Sequence, residues 1–552
     1  VALAIDTSYS ISITIYCRQN RITMSNKAGK TTEYPPLRRI PRHRLLLFGL
    51  AASTSLRTSA LKISIAHHHR QHPVVRRPSF LHRYGGSSAG CIMSASSSSS
   101  LLVSSADTDS TLPTFRDKEE YETYLQARAS LPRGFRCGSA PGTFVPVEAP
   151  AMGGLKIFGT VVALDEPTES WGAVFTKNKY PGAPIKVGRS RLSSGMPLQA
   201  LVINNKVSNV CSADDGQAAS ETVCDAVATC LDLPGGGRSV LPSSTGVIGW
   251  RLPAEELARE VVPAAVAEIA EGDGDAFTAA RAIMTTDRYP KLRSRTLKGG
   301  ARVVGIAKGA GMIEPNMATM LSYIFTDATV EKSKLQSILS SAVDDSYNSI
   351  SVDGDESTSD TVAILSSNVV PLAEDELPEF EAAVREVTSG LAADIVRNGE
   401  GTKHVIRVDI RGFPGSDADA RRLGRHLVNS PLFKCAVAGN DPNTGRIAAA
   451  IGSFLGKMEP APPSTEGMDI SLGGRTIFSK GKFVLEGDVV EKELSRHMKR
   501  AQLGEVDEYP RHQKFVEVAI DFGEGGNGNG SAVVLGSDLT AEYVAVNADY
   551  RS

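Results

Sequence analysis

One stretch near the middle of the chain constrains the fold most: Lys308-Gly-Ala-Gly-Met-Ile-Glu-Pro-Asn-Met-Ala-Thr-Met-Leu321, set between strand-like runs at 301–307 and 321–325. A lysine follows a strand, a glycine-rich bend comes next, and a small residue, Ala318, precedes a hydroxyl residue, Thr319. A Thr opening an apolar strand can attack its own preceding carbonyl where the backbone is strained and donors hold the oxyanion. The chain would then be cut between Ala318 and Thr319. The new α-amine, with an ordinary pKa near ~8, would lie beside the hydroxyl as its general base. The same letters also describe a glycine turn between two strands with a buried Thr, and the stretch alone leaves both readings open.

With 552 residues the chain exceeds the usual single-domain size, so two or more compact units are expected. A net charge of −2 removes the electrostatic case for nucleic acid or an anionic membrane, and small molecules become the expected substrates. No apolar run reaches the ~18 residues of a membrane-spanning helix. Seven cysteines, never in C-x-x-C spacing, argue for a reducing compartment and against a zinc ribbon.

Residues 1–112 are basic, Ser-rich and acid-poor, with Asp6 and Glu33 the only acidic residues before 107. That composition is expected of a largely disordered targeting leader for the mitochondrial matrix, with the plastid stroma as the alternative. His67, His68, His69 and His72 within it read as a solvated basic stretch. Residues 113–154 are expected to form a Pro/Gly-rich connector with one short helix at 115–129.

The folded part is expected to begin at 155. Strands are expected at 155–162, 172–176, 199–204, 361–366, 404–410, 514–522, 531–535 and 542–546. Helices are expected at 216–231, 255–271, 275–284, 330–347, 376–391 and 418–428, with Pro263 interrupting or kinking the second. On the first of these, Ala219, Val223, Ala226, Val227 and Cys230 would share a face, with Cys224 and Cys230 buried as small apolar residues. The mixed order implies an α/β fold.

Several turns could carry chemistry. Ser243-Ser-Thr-Gly246 offers N–H and hydroxyl donors to one concavity, as an oxyanion hole requires, and equally describes an ordinary turn. Met284-Thr-Thr-Asp287 is a capping turn or a source of substrate-binding hydroxyls. The acidic loop 350–361 lacks EF-hand spacing, so no metal is expected there. Glu400 between two glycines suits close approach to a ligand, and Arg446 could pair with a carboxylate. The glycine-rich 523–530 is not a nucleotide loop.

Lined up in this order, the motifs resemble the glutamate N-acetyltransferase and ornithine acetyltransferase family of arginine biosynthesis, from about 159 to 552. Lys308-Gly-Ala-Gly-Met-Ile313 with Pro315-Asn-Met-Ala-Thr-Met-Leu321 is the most specific match. Ser244-Thr-Gly-Val-Ile-Gly249, Met284-Thr-Thr-Asp287, Val352-Asp-Gly-Asp355, Gly399-Glu-Gly401 and Asn547-Ala-Asp-Tyr-Arg-Ser552 add support. The resemblance implies a layered α/β sandwich with a smaller C-terminal α/β part. It implies self-cleavage into α (155–318) and β (319–552) chains that assemble as an α2β2 heterotetramer.

By the same resemblance Thr319 is the nucleophile, Thr245 and Gly246 stabilise the oxyanion, and Thr285, Lys308, Thr319, Glu400, Asn547 and Ser552 contact substrate. Acetyl would pass from N-acetylornithine to glutamate with no bound cofactor, acetyl-CoA entering only as a co-substrate for acetylating glutamate afresh. Departures from the family pattern at 204–216 and 443–446 raise an alternative acceptor: a paralogous N-terminal-nucleophile acyltransferase, or an amidohydrolase using water. A metabolite-binding module without activity is the non-enzymatic reading.

Overall fold

The computed structural model describes residues 14–18, 21–25, 31–33 and 114–549, excepting 273, 315–319, 460–462, 486, 505–511 and 524–528. Ala318, Thr319, Ser552 and the His67–His72 tract therefore lie outside the described residues, as does most of the expected leader. The chain divides into two units, 1–100 and 101–552. In the first, strands β1 (Thr14–Arg18), β2 (Arg21–Ser25) and β3 (Thr31–Glu33) form an antiparallel sheet.

The second unit is built on a four-layer sandwich. One inner layer is a four-stranded sheet in the order β4 (Phe135–Phe144), β5 (Leu155–Thr168), β7 (Leu198–Asn204), β8 (Val240–Ser244). The other has five strands in the order β6 (Trp171–Phe175), β13 (Thr361–Val370), β11 (Leu321–Ala328), β10 (Arg302–Lys308), β9 (Lys291–Thr296). Successive strand side chains point to opposite faces, so each sheet can bury both. Val162 and Leu164 of β5 join Val304, Ile306, Tyr323 and Phe325 in the core between the sheets. The alternate residues face outward onto helices. Val161 and Ala163 meet α3 (Gly216–Leu231) and α5 (Val262–Glu271), while Val303, Ala307 and Ile324 meet α7 (Lys332–Asp345) and α8 (Leu377–Arg397).

Helices α1 (Lys118–Gln126), α2 (Ala183–Ser194), α4 (Ala254–Glu256) and α6 (Ala276–Ala282) complete this part. The smaller C-terminal part is a seven-stranded sheet, β12 (Ile350–Ser351), β19 (Gly530–Ser537), β14 (Val405–Phe413), β18 (Val516–Asp521), β15 (Asp469–Leu472), β16 (Arg475–Ser479) and β17 (Lys482–Phe483). It shares one core with α9 (Asp417–Val428), α10 (Pro431–Ala438), α11 (Thr444–Leu455) and α12 (Gly487–Ala501). The layered α/β class is the one expected. Among the described residues no helix is long and apolar enough to cross a membrane.

Four expectations change. Residues 113–154 are more than a connector: β4 pairs with β5 along its whole length, from Phe135↔Leu164 to Phe144↔Leu155. Its glycines read as loop punctuation but serve packing, since a Cβ on Gly138 would lie 2.0 Å from the Ala265 oxygen and one on Gly142 would lie 2.4 Å from Val261. Residues 542–546 belong to helix α13 (Ala541–Asp549), not to a strand. The Tyr543 N–H reaches the Thr540 hydroxyl at 3.4 Å, and Val544 is exposed, so a local cap overrides the β-propensity of Tyr and Val. Pro263 produces no break, because a π-turn at Leu257–Val261 precedes it and places the proline in the first turn of α5. On α3 the buried stripe includes Val223, Cys224, Val227 and Ala228, which leaves Cys230 exposed.

The expected α/β-chain boundary at 318/319 runs through the five-stranded sheet. β10 lies before it and β11 after it, paired antiparallel from Val303↔Thr326 to Lys308↔Leu321. A cut in the connecting loop leaves this ladder intact. The closeness of α8 to β10 depends on Gly305, where a Cβ would lie 2.6 Å from Val387 and 2.8 Å from Leu391. Gly305→Val is expected to lower the unfolding free energy by about 1–3 kcal/mol through overpacking, read from the urea midpoint; an unchanged midpoint would contradict this packing.

Candidate active site

The chain leaves β8 at Ser244 and turns through Thr245 and Gly246. The Thr245 N–H donates to the Asn204 carbonyl at 3.0 Å, and the Val247 N–H to the Lys206 carbonyl at 2.9 Å. Gly246 sits at φ +131°, and a Cβ there would lie 2.1 Å from the Lys206 carbonyl carbon, so the turn admits only glycine. The backbone N–H of Thr245 is consumed by this scaffold. Among the described residues the Thr245 hydroxyl and the Gly246 N–H have no hydrogen-bond partner, which leaves both free to donate to a ligand oxygen.

Asn204 and Asn205, within the divergent 204–216 segment, hold the site together. Asn204 Oδ1 accepts from the Ser244 hydroxyl at 2.6 Å. Asn205 Nδ2 donates to the Ala282 and Met284 carbonyls at 3.0 and 2.9 Å, fixing the end of α6 from which Thr285 emerges. Lys308 ends β10 and reaches the Thr285 hydroxyl at 3.4 Å. Beneath them Asp287 accepts from the Gly309 N–H at 2.8 Å and the Thr285 N–H at 3.1 Å, and bonds the Lys291 ammonium. Lys291 also donates to Asn398 Oδ1 at 2.9 Å, two residues before Glu400. One buried network thus spans the elements that carry Thr285, Lys308 and Glu400.

Glu400 lies on the turn after α8, its N–H donating to the Ala310 carbonyl at 2.9 Å. Its Oε2 accepts from Asn547 Nδ2 of α13 at 2.9 Å. Two glycines permit this approach: a Cβ on Gly311 would lie 2.5 Å from Glu400 Oε2, and one on Gly401 2.4 Å from the Tyr543 nitrogen. Asp353 accepts from the Met312 and Ile313 N–H groups at 2.7 and 2.8 Å, holding the bend just before the residues outside the description.

A cavity of about 100 Å3 brings together Thr245, Gly246, Thr285, Lys308, Glu400 and Asn547, all six of the expected site residues that are described. Thr286, Ser208, Met320 and the 357–360 segment also line it. Thr319 and Ser552 lie outside the described residues, although Met320, the neighbour of Thr319 in sequence, lines the cavity. Arg446 is not brought to the cavity; it starts α11 and donates to the Leu432 carbonyl at 2.6 Å. In the acidic loop Asp353 is spent on backbone N–H groups, and no carboxylate, His or Cys cluster fit for a metal occurs among the described residues.

Charge in this cavity is poised by burial. Burial pushes the Lys308 ammonium below the usual lysine range against the opposing pull of Asp287, Asp360 and Glu400. Burial also opposes ionisation of Asp287, but Lys291, Lys308 and the Gly309 N–H outweigh it and bring the carboxyl down to about 2. A carboxyl depressed in the fold stabilises it fully above its ordinary 3.8, and that stability is lost as pH falls toward about 2. Asp287→Ala strands a fully buried Lys291 and is expected to cost about 3–5 kcal/mol in urea unfolding at neutral pH, part of it recovered by adding Lys291→Met. A single-variant loss below about 1 kcal/mol would contradict the network.

Residues 155–552 match the model of the ArgJ family. The chain is 36% identical over 391 residues to the arginine biosynthesis bifunctional protein ArgJ 2 of Clostridium acetobutylicum, covering 70% of this chain and 92% of that protein. It is also 36% identical over 430 residues to the arginine biosynthesis bifunctional protein ArgJ of Nitratidesulfovibrio vulgaris, covering 77% and 100%. The crystal structure of the arginine biosynthesis bifunctional protein argJ from Bacillus halodurans is 30% identical with a TM-score of 0.36, covering 42% of this chain and 100% of that one. The match over most of the sandwich and the C-terminal part, with relatives more than one-third identical across it, means that the chain belongs to the ArgJ family.

Proposed function

We propose that this chain is a self-cleaving acetyltransferase of arginine biosynthesis that moves acetyl from N-acetylornithine to glutamate through an acetyl ester on Thr319. The names of its relatives place them in arginine biosynthesis. The observation that carries the chemistry is the convergence of two oxyanion donors, a lysine and a carboxylate–amide pair on one cavity that Met320 also lines.

In the reaction the Thr319 hydroxyl attacks the acetyl carbonyl of the donor while its proton passes to the α-amine that self-cleavage has freed. Negative charge develops on the carbonyl oxygen, where the Thr245 hydroxyl and the Gly246 N–H receive it. The C–N bond then breaks, the ornithine amine takes the proton, and glutamate attacks the acetyl-Thr ester in the reverse sense. Lys308, with the Thr285 hydroxyl beside it, suits the α-carboxylate common to both substrates. Glu400 suits the ammonium of ornithine. Acyl transfer of this kind uses no metal or bound cofactor, and acetyl-CoA serves as co-substrate where glutamate is acetylated afresh. The cleaved chains would assemble as an α2β2 heterotetramer.

The divergent 443–446 turn lies off the cavity, so it gives no reason to change the acceptor. Thr319→Ala is expected to leave a single full-length band on a denaturing gel and no acetylglutamate from acetylornithine. Thr245→Ala removes one oxyanion donor and is expected to lower kcat by about 10²–10³-fold with KM nearly unchanged. Full acetyl transfer by an uncleaved wild-type chain would refute the reading, and release of ornithine without any amine acceptor at the full rate would favour hydrolysis.

A further inference from the structure

Both substrates of the proposed reaction have to fit one cavity. Ornithine and glutamate share an α-carboxylate, an α-nitrogen and an unbranched side chain, and they differ in the group at its end. The terminal nitrogen of ornithine and the terminal oxygens of glutamate lie the same number of bonds from Cα. One subsite therefore meets an ammonium from one substrate and a carboxylate from the other. Among the described residues that line the cavity Lys308 is the one cation, beside two carboxyls, Asp360 and Glu400. Once Lys308 and the Thr285 hydroxyl hold the α-carboxylate, no cation remains there for a second one.

The side-chain end falls to Glu400 and its partner Asn547. Asn547 Nδ2 donates to Glu400 Oε2 at 2.9 Å and to the Tyr543 carbonyl of its own helix at 3.0 Å. The Thr540 hydroxyl donates to the Gly401 carbonyl at 2.7 Å, so α13 is docked on the turn that carries Glu400 and the pair stays side by side as substrates exchange. An amide offers a donor and an acceptor and so serves either charge. A carboxyl serves an ammonium as the carboxylate, but a second carboxylate only as the acid. We propose that the Glu400–Asn547 pair is a proton-coupled subsite: its carboxylate and amide oxygen bind the ornithine ammonium, and when glutamate enters it takes one proton from solvent, so that the Glu400 acid and Asn547 Nδ2 both donate to the γ-carboxylate. This rests on the acyl-transfer reading above. Two carboxylates in contact cannot both stay ionised, and a shared proton turns their repulsion into a hydrogen bond. The proton returns to solvent when acetylglutamate leaves. Lys308 from β10 and Tyr543 from α13 face Glu400, Tyr543 also faces Asp353 and Asp355 of the 350–361 loop, and Arg288 donates to the Gly399 carbonyl at 3.3 Å. Burial lowers the Lys308 ammonium, but Lys308 serves the carboxylate common to both substrates, so its titration acts on both alike.

The test uses glutarate and 5-aminopentanoate, which copy the two side-chain charges and lack the α-amine that would accept acetyl. Their inhibition constants against acetylornithine are measured on the full-length wild-type chain and on Glu400→Gln between about pH 6 and about pH 8. Protons taken up on binding are counted by calorimetry in buffers of different ionisation heat. In the wild type the glutarate constant, relative to that of 5-aminopentanoate, is expected to rise about 3–10-fold per pH unit, with uptake of about 0.5–1 proton for glutarate and none for 5-aminopentanoate. Glu400→Gln supplies a permanent donor; it is expected to abolish that slope and to weaken 5-aminopentanoate by about 10-fold or more. A wild-type ratio that does not change with pH, equal proton uptake for the two probes, or a Glu400→Gln chain that keeps the slope overturns the proposal. So does failure of both probes to inhibit a chain that transfers acetyl. If Glu400→Gln loses the wild-type unfolding transition, Asn547→Asp decides: it is expected to weaken glutarate by about 10-fold or more at about pH 8 without weakening 5-aminopentanoate, and equal losses overturn the proposal. A wild-type chain that forms no acetylglutamate would instead remove the acyl-transfer reading itself.

Discussion

Lys308 pairs with Leu321 at the end of the β10–β11 ladder, and much of the site depends on that register. The ladder brings the two ends of the 309–320 loop to one edge of the five-stranded sheet. A one-residue slip of β10 against β11 would exchange the faces of β10, moving Val304 and Ile306 out of the inter-sheet core and Val303 and Ala307 into it. Because both faces are buried by different partners, the register is strongly specified. The same ladder crosses the proposed cut, so the hydrogen bonds that place Lys308 would also hold the two products together.

Beneath that edge the charges form layers. Asp287 and Lys291 are wholly buried and tie the 285–287 turn to Asn398 and Gly309. Such a pair adds little net stability compared with apolar residues of the same size, because desolvation offsets much of the attraction. Its contribution is geometric: it fixes in one arrangement the elements that present Thr285, Lys308 and Glu400. The cavity above is left with a lysine and carboxyls in low-dielectric surroundings, where small movements of a proton have large effects.

Much of this was legible in the sequence because the chemistry-bearing residues sit in short local patterns. Ser244-Thr-Gly246 has a glycine that only its positive φ explains, and Glu400 is flanked by glycines, one of which gives α13 room to approach. The layered α/β class followed from the order of strands and helices. Residues whose roles come from long-range pairing were harder to read. Asp360, Asp353 and Asp287 looked like parts of a polar loop or turn until β11 and β13 were placed side by side and 309–313 was folded against them. Asn204 and Asn205 sit in a segment that departs from the family pattern, yet they hold the 244–246 turn and the end of α6. β4 was hidden by glycines that serve helix packing, and α13 by valines that never enter a sheet. Arg446 had the right chemistry for a carboxylate but caps no part of the cavity.

The central claim is that Thr319 becomes the first residue of a new chain and carries the acetyl group. Mass spectrometry of the purified wild-type protein, briefly exposed to acetylornithine without glutamate and quenched in acid, tests it most directly. The expected result is a C-terminal fragment beginning at Thr319 with one acetyl group on that residue, lost again when glutamate is added. An intact chain, or a fragment that never gains acetyl at Thr319 while acetylglutamate accumulates, would contradict it.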